Sequence, residues 1–141
     1  MKAKNLCFIL LALYANSPIL LADSTQQKFN TNNHYYQRFD TAITWNEAVM
    51  KCMNLGSNVH LATITSPDEN NFLAALTNQQ ISWIGASFTR SGDIIWINGE
   101  SLMVNYMAKS INGGIHFMIN NAKTWQRGGD TDLFPYICEW D

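Results

Sequence analysis

An α+β fold is the class this sequence predicts, and two observations carry it. Two helices with well-marked starts lie in the first half of the chain, and short apolar runs separated by Gly, Asn and Asp fill the second half. No internal repeat and no low-complexity tract interrupts the chain.

Residues 1–22 read as a secretory signal peptide. Met1-Lys2-Ala3-Lys4 is a cationic start, Leu6 to Tyr14 is an unbroken apolar run, and a second apolar stretch, Ile19-Leu20-Leu21-Ala22, ends at a small residue suited to cleavage. The first run is nine residues long, and Asn16 and Pro18 break any longer one. A membrane-spanning helix needs about 20 apolar residues, so no span is expected after cleavage. Residues 23–33 are polar and read as a flexible leader, and the folded domain is expected over 34–141.

His34 to Phe39 is rich in aromatics and reads as a strand. Thr44-Trp45-Asn46-Glu47 has the pattern of a capping box, in which the Thr hydroxyl accepts from the third helical amide while the Glu carboxylate reaches back. The helix that follows runs to about Asn54, with Trp45, Ala48, Val49, Cys52 and Met53 at helical spacing on one face and Gly56 as its stop. Ser66-Pro67-Asp68-Glu69 opens a second helix, with proline at the first position where its missing N–H costs nothing and Phe72, Leu73 and Leu76 on the apolar face. Helical periodicity ends after Asn78. The apolar runs Ile81–Ala86, Ile94–Ile97, Ile115–Ile119, Lys123–Trp125 and Pro135–Glu139 read as strands.

The 141-residue length holds one domain, and 47% hydrophobic content with 12% aromatics excludes intrinsic disorder. Net charge is −2, and loss of Lys2 and Lys4 with the leader takes it to −4. With no basic run or stripe, nucleic acid is not an expected partner. Three cysteines are too few for a disulfide-dense scaffold or a thiolate zinc cage. Cys7 leaves with the leader, and Cys52 and Cys138 remain. An even pair in an exported chain points to one disulfide, the other reading being two buried thiols, and no cysteine is left over for a covalent dimer. No Asn-x-Ser/Thr sequon is present.

The ordered set of residues resembles a C-type lectin-like domain. The matching stretches are Thr44-Trp45-Asn46-Glu47-Ala48 with Cys52, Leu61-Ala62-Thr63-Ile64 with Ser66 and Glu69, Trp83-Ile84-Gly85-Ala86, Trp96-Ile97-Asn98-Gly99, Trp125, and Ile137-Cys138-Glu139. The resemblance implies two helices and a mainly antiparallel sheet with a short loop region, and it maps the family's outer disulfide onto Cys52–Cys138. The family's inner disulfide is absent. Its two positions map onto His116 and Asp130, a potential ion pair. Trp45, Trp83 and Trp96 read as core aromatics, Gly85 and Gly99 as positions of backbone geometry. Glu139 reads as a salt-bridge partner, although in some relatives the equivalent position helps to bind an auxiliary calcium.

Sugar-binding members of the family hold a calcium ion with a Glu-Pro-Asn or Gln-Pro-Asp motif in a long loop and a Trp-Asn-Asp motif on the next strand. Here the loop from Tyr106 to Ile115 is shorter than in the mannose-binding relatives and has neither a carboxylate nor a proline, and the strand motif is replaced by Trp125-Gln126-Arg127. Calcium needs six to eight oxygen ligands, and a guanidinium at a ligand position repels it. The expectation is therefore no metal at this site and no cofactor. Asp130-Thr131-Asp132 lacks the length of an EF-hand loop and reads as a solvated turn.

His34, His60 and His116 lie on different elements without metal-ligand spacing, Glu47 and Glu69 cap helices, and no nucleophile motif, HExxH or phosphate loop appears, so no catalytic residue is proposed. The reading is a secreted, calcium-independent C-type lectin-like module that binds an extracellular glycan or protein through 106–114 and 126–132. The candidate contacts are Lys109, Asn112, Trp125, Gln126, Arg127, Asp130 and Asp132. Arg127 and Lys109 would attract an anionic group, and Trp125 would stack on a sugar ring or apolar side chain. The rival readings are a calcium-dependent carbohydrate-binding lectin and an enzyme or toxin with an unrecognised site.

Overall fold

A computed structural model describes residues 24–107 and 113–141. The leader expected over 1–22, and the candidate contacts Lys109 and Asn112, lie outside the described residues. Strand β1 (Gln27–Phe29) leads into β2 (His34–Ile43), helix α1 (Trp45–Met53), β3 (Val59–Leu61) and helix α2 (Pro67–Leu76). Then come β4 (Ser82–Phe88), β5 (Ile94–Trp96), β6 (His116–Ile119), β7 (Trp125–Gly128) and β8 (Phe134–Trp140). The strands make one sheet in the order β1-β2-β8-β4-β6-β7, with β3 paired to β8 and β5 paired to β4. Pairing is antiparallel except between β4 and β8, which meet in parallel at Trp83 and Tyr136. The expected two helices and mainly antiparallel sheet are what the chain forms.

Both faces of the sheet are apolar, and the alternation along each strand sorts the core into two clusters. Ile84, Phe117, Ile119, Trp125 and Ile137 face α2, together with Trp96 and Tyr36. Trp83, Met118, Tyr136 and Cys138 face α1, where Trp45, Ala48 and Cys52 meet them. Trp45, Trp83 and Trp96 are core residues as expected, at 8%, 0% and 2% exposure. Two indole N–H groups donate to backbone carbonyls, Trp45 to Ile84 at 2.8 Å and Trp83 to Ile43 at 2.8 Å. Met53, expected on the buried face of α1, is 55% exposed because the buried stripe is only Trp45, Ala48 and Cys52.

Helix α1 starts with a complete capping box: the Glu47 amide donates to Thr44 Oγ1 at 3.3 Å and the Thr44 amide to Glu47 Oε2 at 2.8 Å. At α2 only half of the expected box forms. Ser66 Oγ accepts from the Glu69 amide at 3.2 Å, but the Glu69 carboxylate turns instead to the Thr65 amide at 2.6 Å and the Tyr36 hydroxyl at 2.5 Å.

Two expectations need correction in the first part of the fold. Residues 27–29, read as flexible leader, form β1 and pair with β2 through Gln27–Tyr36 and Phe29–His34. Asn33 takes φ 63° to close the turn, and Phe29 anchors the strand with its ring 5.0 Å from that of Phe72. Strand β3, which pairs with β8 through only three residues, has no counterpart among the expected strands.

The single disulfide joins Cys52 on α1 to Cys138 on β8 across 86 residues of sequence. Gly85 sits where three segments cross: its amide donates to Ala62 O at 2.7 Å and its carbonyl accepts from Ile97 N at 2.7 Å. A Cβ there would lie 2.6 Å from the Leu61 carbonyl oxygen, so the position admits only glycine. Gly99 holds φ +80°, in the left-handed region glycine tolerates.

Candidate functional site

Strands β6 and β7 pair from Ile119–Trp125 to His116–Gly128, and the 129–132 turn follows directly. Beside this hairpin lies an open groove of about 520 Å³, lined by Gly113, Gly114, Gln126, Arg127, Asp132 and Phe134 among others. Four glycines, Gly113, Gly114, Gly128 and Gly129, are among its lining residues, and two of them are required sterically. A Cβ on Gly114 would fall 2.1 Å from the Gly128 carbonyl oxygen, and one on Gly128 would fall 2.5 Å from the Trp83 ring.

The Arg127 guanidinium carbon lies 5.4 Å from the centre of the Phe88 ring, a cation–π placement that orients the fork of donors. Asp132 Oδ2 accepts from the Gly129 amide at 2.7 Å and so fixes the turn. Asp130 Oδ1 lies 2.8 Å from His116 Nε2, and the His116 ring stacks on Trp45 with centroids 4.2 Å apart. The carboxylate offers no proton, so Nε2 is the nitrogen that donates.

Of the residues the sequence proposed for this face, the structure places Gln126 and Asp132 on the groove with Asp130 beside it, whereas Arg127 lines the groove from β7 but sends its guanidinium to the opposite face of the sheet, over Phe88. Trp125 is not among them. It is fully buried, its Nε1–H donates to Asn70 Oδ1 at 2.8 Å, and its ring meets Trp96 edge to face at 5.3 Å. The difference has a physical cause: on a sheet covered on both faces, a tryptophan beside a loop reads the same whether it points in or out.

The residues at this face do not fit the calcium ion that the resemblance implies. Asp130 is tied to His116 and Asp132 to a turn amide, and Arg127 stands where the resemblance places a carboxylate. The Tyr106–Ile115 loop adds no carboxylate. A site for six to eight oxygens cannot be assembled from these donors.

A second concentration of chemistry lies on the α2 side of the sheet, where β2, β8 and β3 are neighbours. Glu139, 1% exposed, sits opposite Tyr36 on one flank and His60 on the other. Its Oε1 is 2.7 Å from His34 Nδ1 and 3.0 Å from the Tyr36 hydroxyl, and its Oε2 accepts from the Thr63 amide at 2.8 Å. Asp141 lies 3.5 Å from His34 Nδ1 and 3.0 Å from His60 Nε2, while His60 Nδ1 is 2.8 Å from the Leu61 carbonyl. Burial pushes the Glu139 carboxyl up, against the pull of the Thr63 amide and His34. Burial also raises the Tyr36 hydroxyl, and the charges of Glu139 and Glu69 raise it further. For His60 burial works the other way, but the Leu61 carbonyl, Glu139 and Asp141 outweigh it and the net direction is up.

Sequence reasoning places His34 and His60 on unrelated elements and reads Glu139 as a salt-bridge partner or, as in some relatives, a position that helps to bind an auxiliary calcium. Glu139 does meet His34, at 2.7 Å, but the grouping escapes that reasoning. The available signal is the alternation Glu139-Trp140-Asp141, which sends two carboxylates to one face of a final strand.

Comparison with known proteins gives a consistent picture. The family model described as the lectin C-type domain matches residues 41–140. A lectin from Pleurodeles waltl is 29% identical, covering 77% of this chain and 70% of its own. A snaclec chain from Echis carinatus, named for a coagulation factor IX/factor X-binding protein, is 31% identical, covering 75% and 88%. Among solved structures, ovocleidin-17 of Gallus gallus superposes with a TM-score of 0.73 at 18% identity, covering 82% of this chain and 95% of that one. The cow C-type carbohydrate-recognition domain of CD23 gives 0.68 at 25% identity, covering 84% and 92%. Among the described residues no helix is long and apolar enough to cross a membrane.

Proposed function

The chain belongs to the lectin C-type domain family, and we propose that it is an exported binding module that takes its ligand on the Gln126–Asp132 face without a calcium ion. The observation that carries this reading is Arg127, its guanidinium over the Phe88 ring, at the strand position where the resemblance places a calcium-holding carboxylate. A guanidinium held over an aromatic ring is suited to bidentate recognition of a carboxylate or sulfate. Gln126, on the opposite face of β7, lines the groove and supplies both a donor and an acceptor there. With Trp125 in the core, ring stacking by that residue is withdrawn from the proposal, and the contacts that remain are polar.

The ligand we propose is therefore an anionic group displayed on a glycan or a protein. Fold alone does not choose between these carriers. One relative carries a name that says it binds coagulation factors, which are proteins, while others are named lectins. Export rests on the leader over 1–22 and agrees with a disulfide in the fold. Binding rather than catalysis is the reading because, among the described residues, the groove holds no nucleophile paired with a base.

The test is a glycan array carrying sulfated and uronic-acid glycans, probed once in calcium and once in EDTA. Equal binding in both supports a calcium-independent lectin. Binding in calcium alone overturns the reading of Arg127. Silence in both moves the ligand to a protein, to be sought by pull-down with wild type against Arg127→Ala.

A further inference from the structure

We propose that His34, Glu139 and Asp141 form a binding site for a divalent transition-metal ion of the zinc class, separate from the ligand face. One nitrogen or oxygen from each residue, His34 Nδ1 and a carboxylate oxygen of Glu139 and of Asp141, lies within 4.8 Å of the other two. Among the described residues no other group of three His, Cys, Asp or Glu side chains converges in this way. Bonds of about 2.0–2.2 Å to a tetrahedral zinc put ligand atoms about 3.3–3.5 Å apart. The observed separations from His34 Nδ1, 2.7 Å to Glu139 Oε1 and 3.5 Å to Asp141 Oδ1, are within small side-chain adjustments of that figure.

The sheet builds this arrangement. Glu139 and Asp141 are two residues apart, so they project on the same face. The β2–β8 register pairs Tyr35 with Trp140 and Tyr36 with Glu139, which places His34 beside the end of β8 on that face. Each ligand is also held from behind. The Thr63 amide fixes Glu139 Oε2, the His34 amide donates to Asn32 Oδ1, the Asp141 amide donates to Asn58 O, and His60 Nε2 braces the Asp141 carboxylate. Outer partners of this kind orient metal ligands.

Charge points the same way. Glu69 and Glu139 are buried, at 2% and 1% exposure, and Tyr36 contacts both. The single Tyr36 hydroxyl proton serves Glu69 at 2.5 Å, so it cannot also serve Glu139 at 3.0 Å. Among the described residues the ion-pair partners of Glu139 and Asp141 are histidines alone. The cluster thus gathers two carboxylates and two imidazoles with no Lys or Arg partner among the described residues, a set that suits a dication. An imidazole with two carboxylates suits zinc rather than calcium, whose ligands are oxygens. Three protein ligands leave a fourth position for water, and the approach runs past His34 and Asp141, whose side chains are 27% and 41% exposed.

The test is calorimetric titration of the EDTA-treated, buffer-exchanged chain with zinc chloride and, separately, calcium chloride. Wild type is compared with His34→Gln, Asp141→Asn and the ligand-face control Asp132→Asn. The expected result is one zinc per chain, weakened at least tenfold in His34→Gln and Asp141→Asn and unchanged in Asp132→Asn. Zinc should raise the melting temperature of wild type and not of the two ligand variants. Circular dichroism in EDTA confirms that all variants are folded. No zinc binding by wild type, zinc binding indifferent to His34 and Asp141, or binding of calcium in preference to zinc would each overturn the proposal.

Discussion

His116 and Asp130 meet through a 2.8 Å hydrogen bond at the two positions where the resemblance places the family's inner disulfide. A covalent link has been replaced by a polar one, but the two partners do not contribute equally. His116 is buried and stacks on Trp45, whereas the Asp130 side chain is 71% exposed. His116→Ala should therefore cost about 2–4 kcal/mol through lost packing. Asp130→Ala should cost no more than about 1 kcal/mol, as for an exposed ion pair. Urea titration of the two variants checks the asymmetry, and equal losses would show that the hydrogen bond dominates.

The remaining disulfide carries a larger burden. Cys52–Cys138 closes a loop of 86 residues in sequence separation. Loop-closure entropy for that length is worth roughly 4–5 kcal/mol, by removing freedom from the unfolded chain. The Cys52→Ala/Cys138→Ala double variant should lose a comparable amount in a urea titration. A loss below about 1 kcal/mol would mean that the unfolded chain is already compact.

The parts of this fold legible in the sequence are those fixed locally. Thr44 with Glu47, and Ser66 with Pro67, announce helices because capping is decided within four residues. The Gly85-containing strand is announced by its apolar run. What could not be read depends on pairing. Strand β3 exists because β8 offers it an edge at Val59–Leu61, and β1 exists because one phenylalanine reaches α2. The burial of Trp125 and the meeting of His34 with Glu139, 105 residues later, are set by sheet order and register. Neither leaves a local trace in composition or periodicity.

Gly85 provides a sharp packing test. Its Cβ-to-be faces two backbone carbonyls, those of Leu61 and Ala62 at 2.6 and 3.2 Å, and backbone there is pinned by the Ala62–Ile137 hydrogen bond. Gly85→Ala should destabilise by about 1–3 kcal/mol. Gly92→Ala is the contrast: nothing lies within 4 Å of its Cβ, so any cost comes from its φ of +89° alone. Thermal melts of the pair separate collision from backbone strain.

Arg127→Ala should separate binding from folding. The guanidinium sits on the half-buried rim over Phe88 rather than in the core. If the proposed face is the ligand face, truncation should weaken binding about thirtyfold, the range of an interface hot spot of about 2 kcal/mol. The melting temperature should move by no more than about 4 °C, the effect of losing about 0.5–1 kcal/mol of surface cation–π contact. Unchanged affinity for an anionic ligand would remove this face from the proposal.

Glu47 gives a pH dependence whose sign follows from its contacts. The Thr44 backbone amide, then the Thr44 hydroxyl, hold the Glu47 carboxyl below its ordinary value of 4.5. A depressed folded-state pKa means that the ionised carboxylate stabilises the native helix start. That contribution is fully present above pH 4.5 and is lost as pH falls through the depressed value. Glu47→Gln retains a carbonyl acceptor but not the charge at the positive end of α1. Melting curves from pH 7 to pH 2 should therefore show wild type more stable than Glu47→Gln at neutral pH. The difference should close in acid, once the carboxylate is protonated. A gap that stays constant down to pH 2 would mean that side-chain shape, not charge, makes the cap.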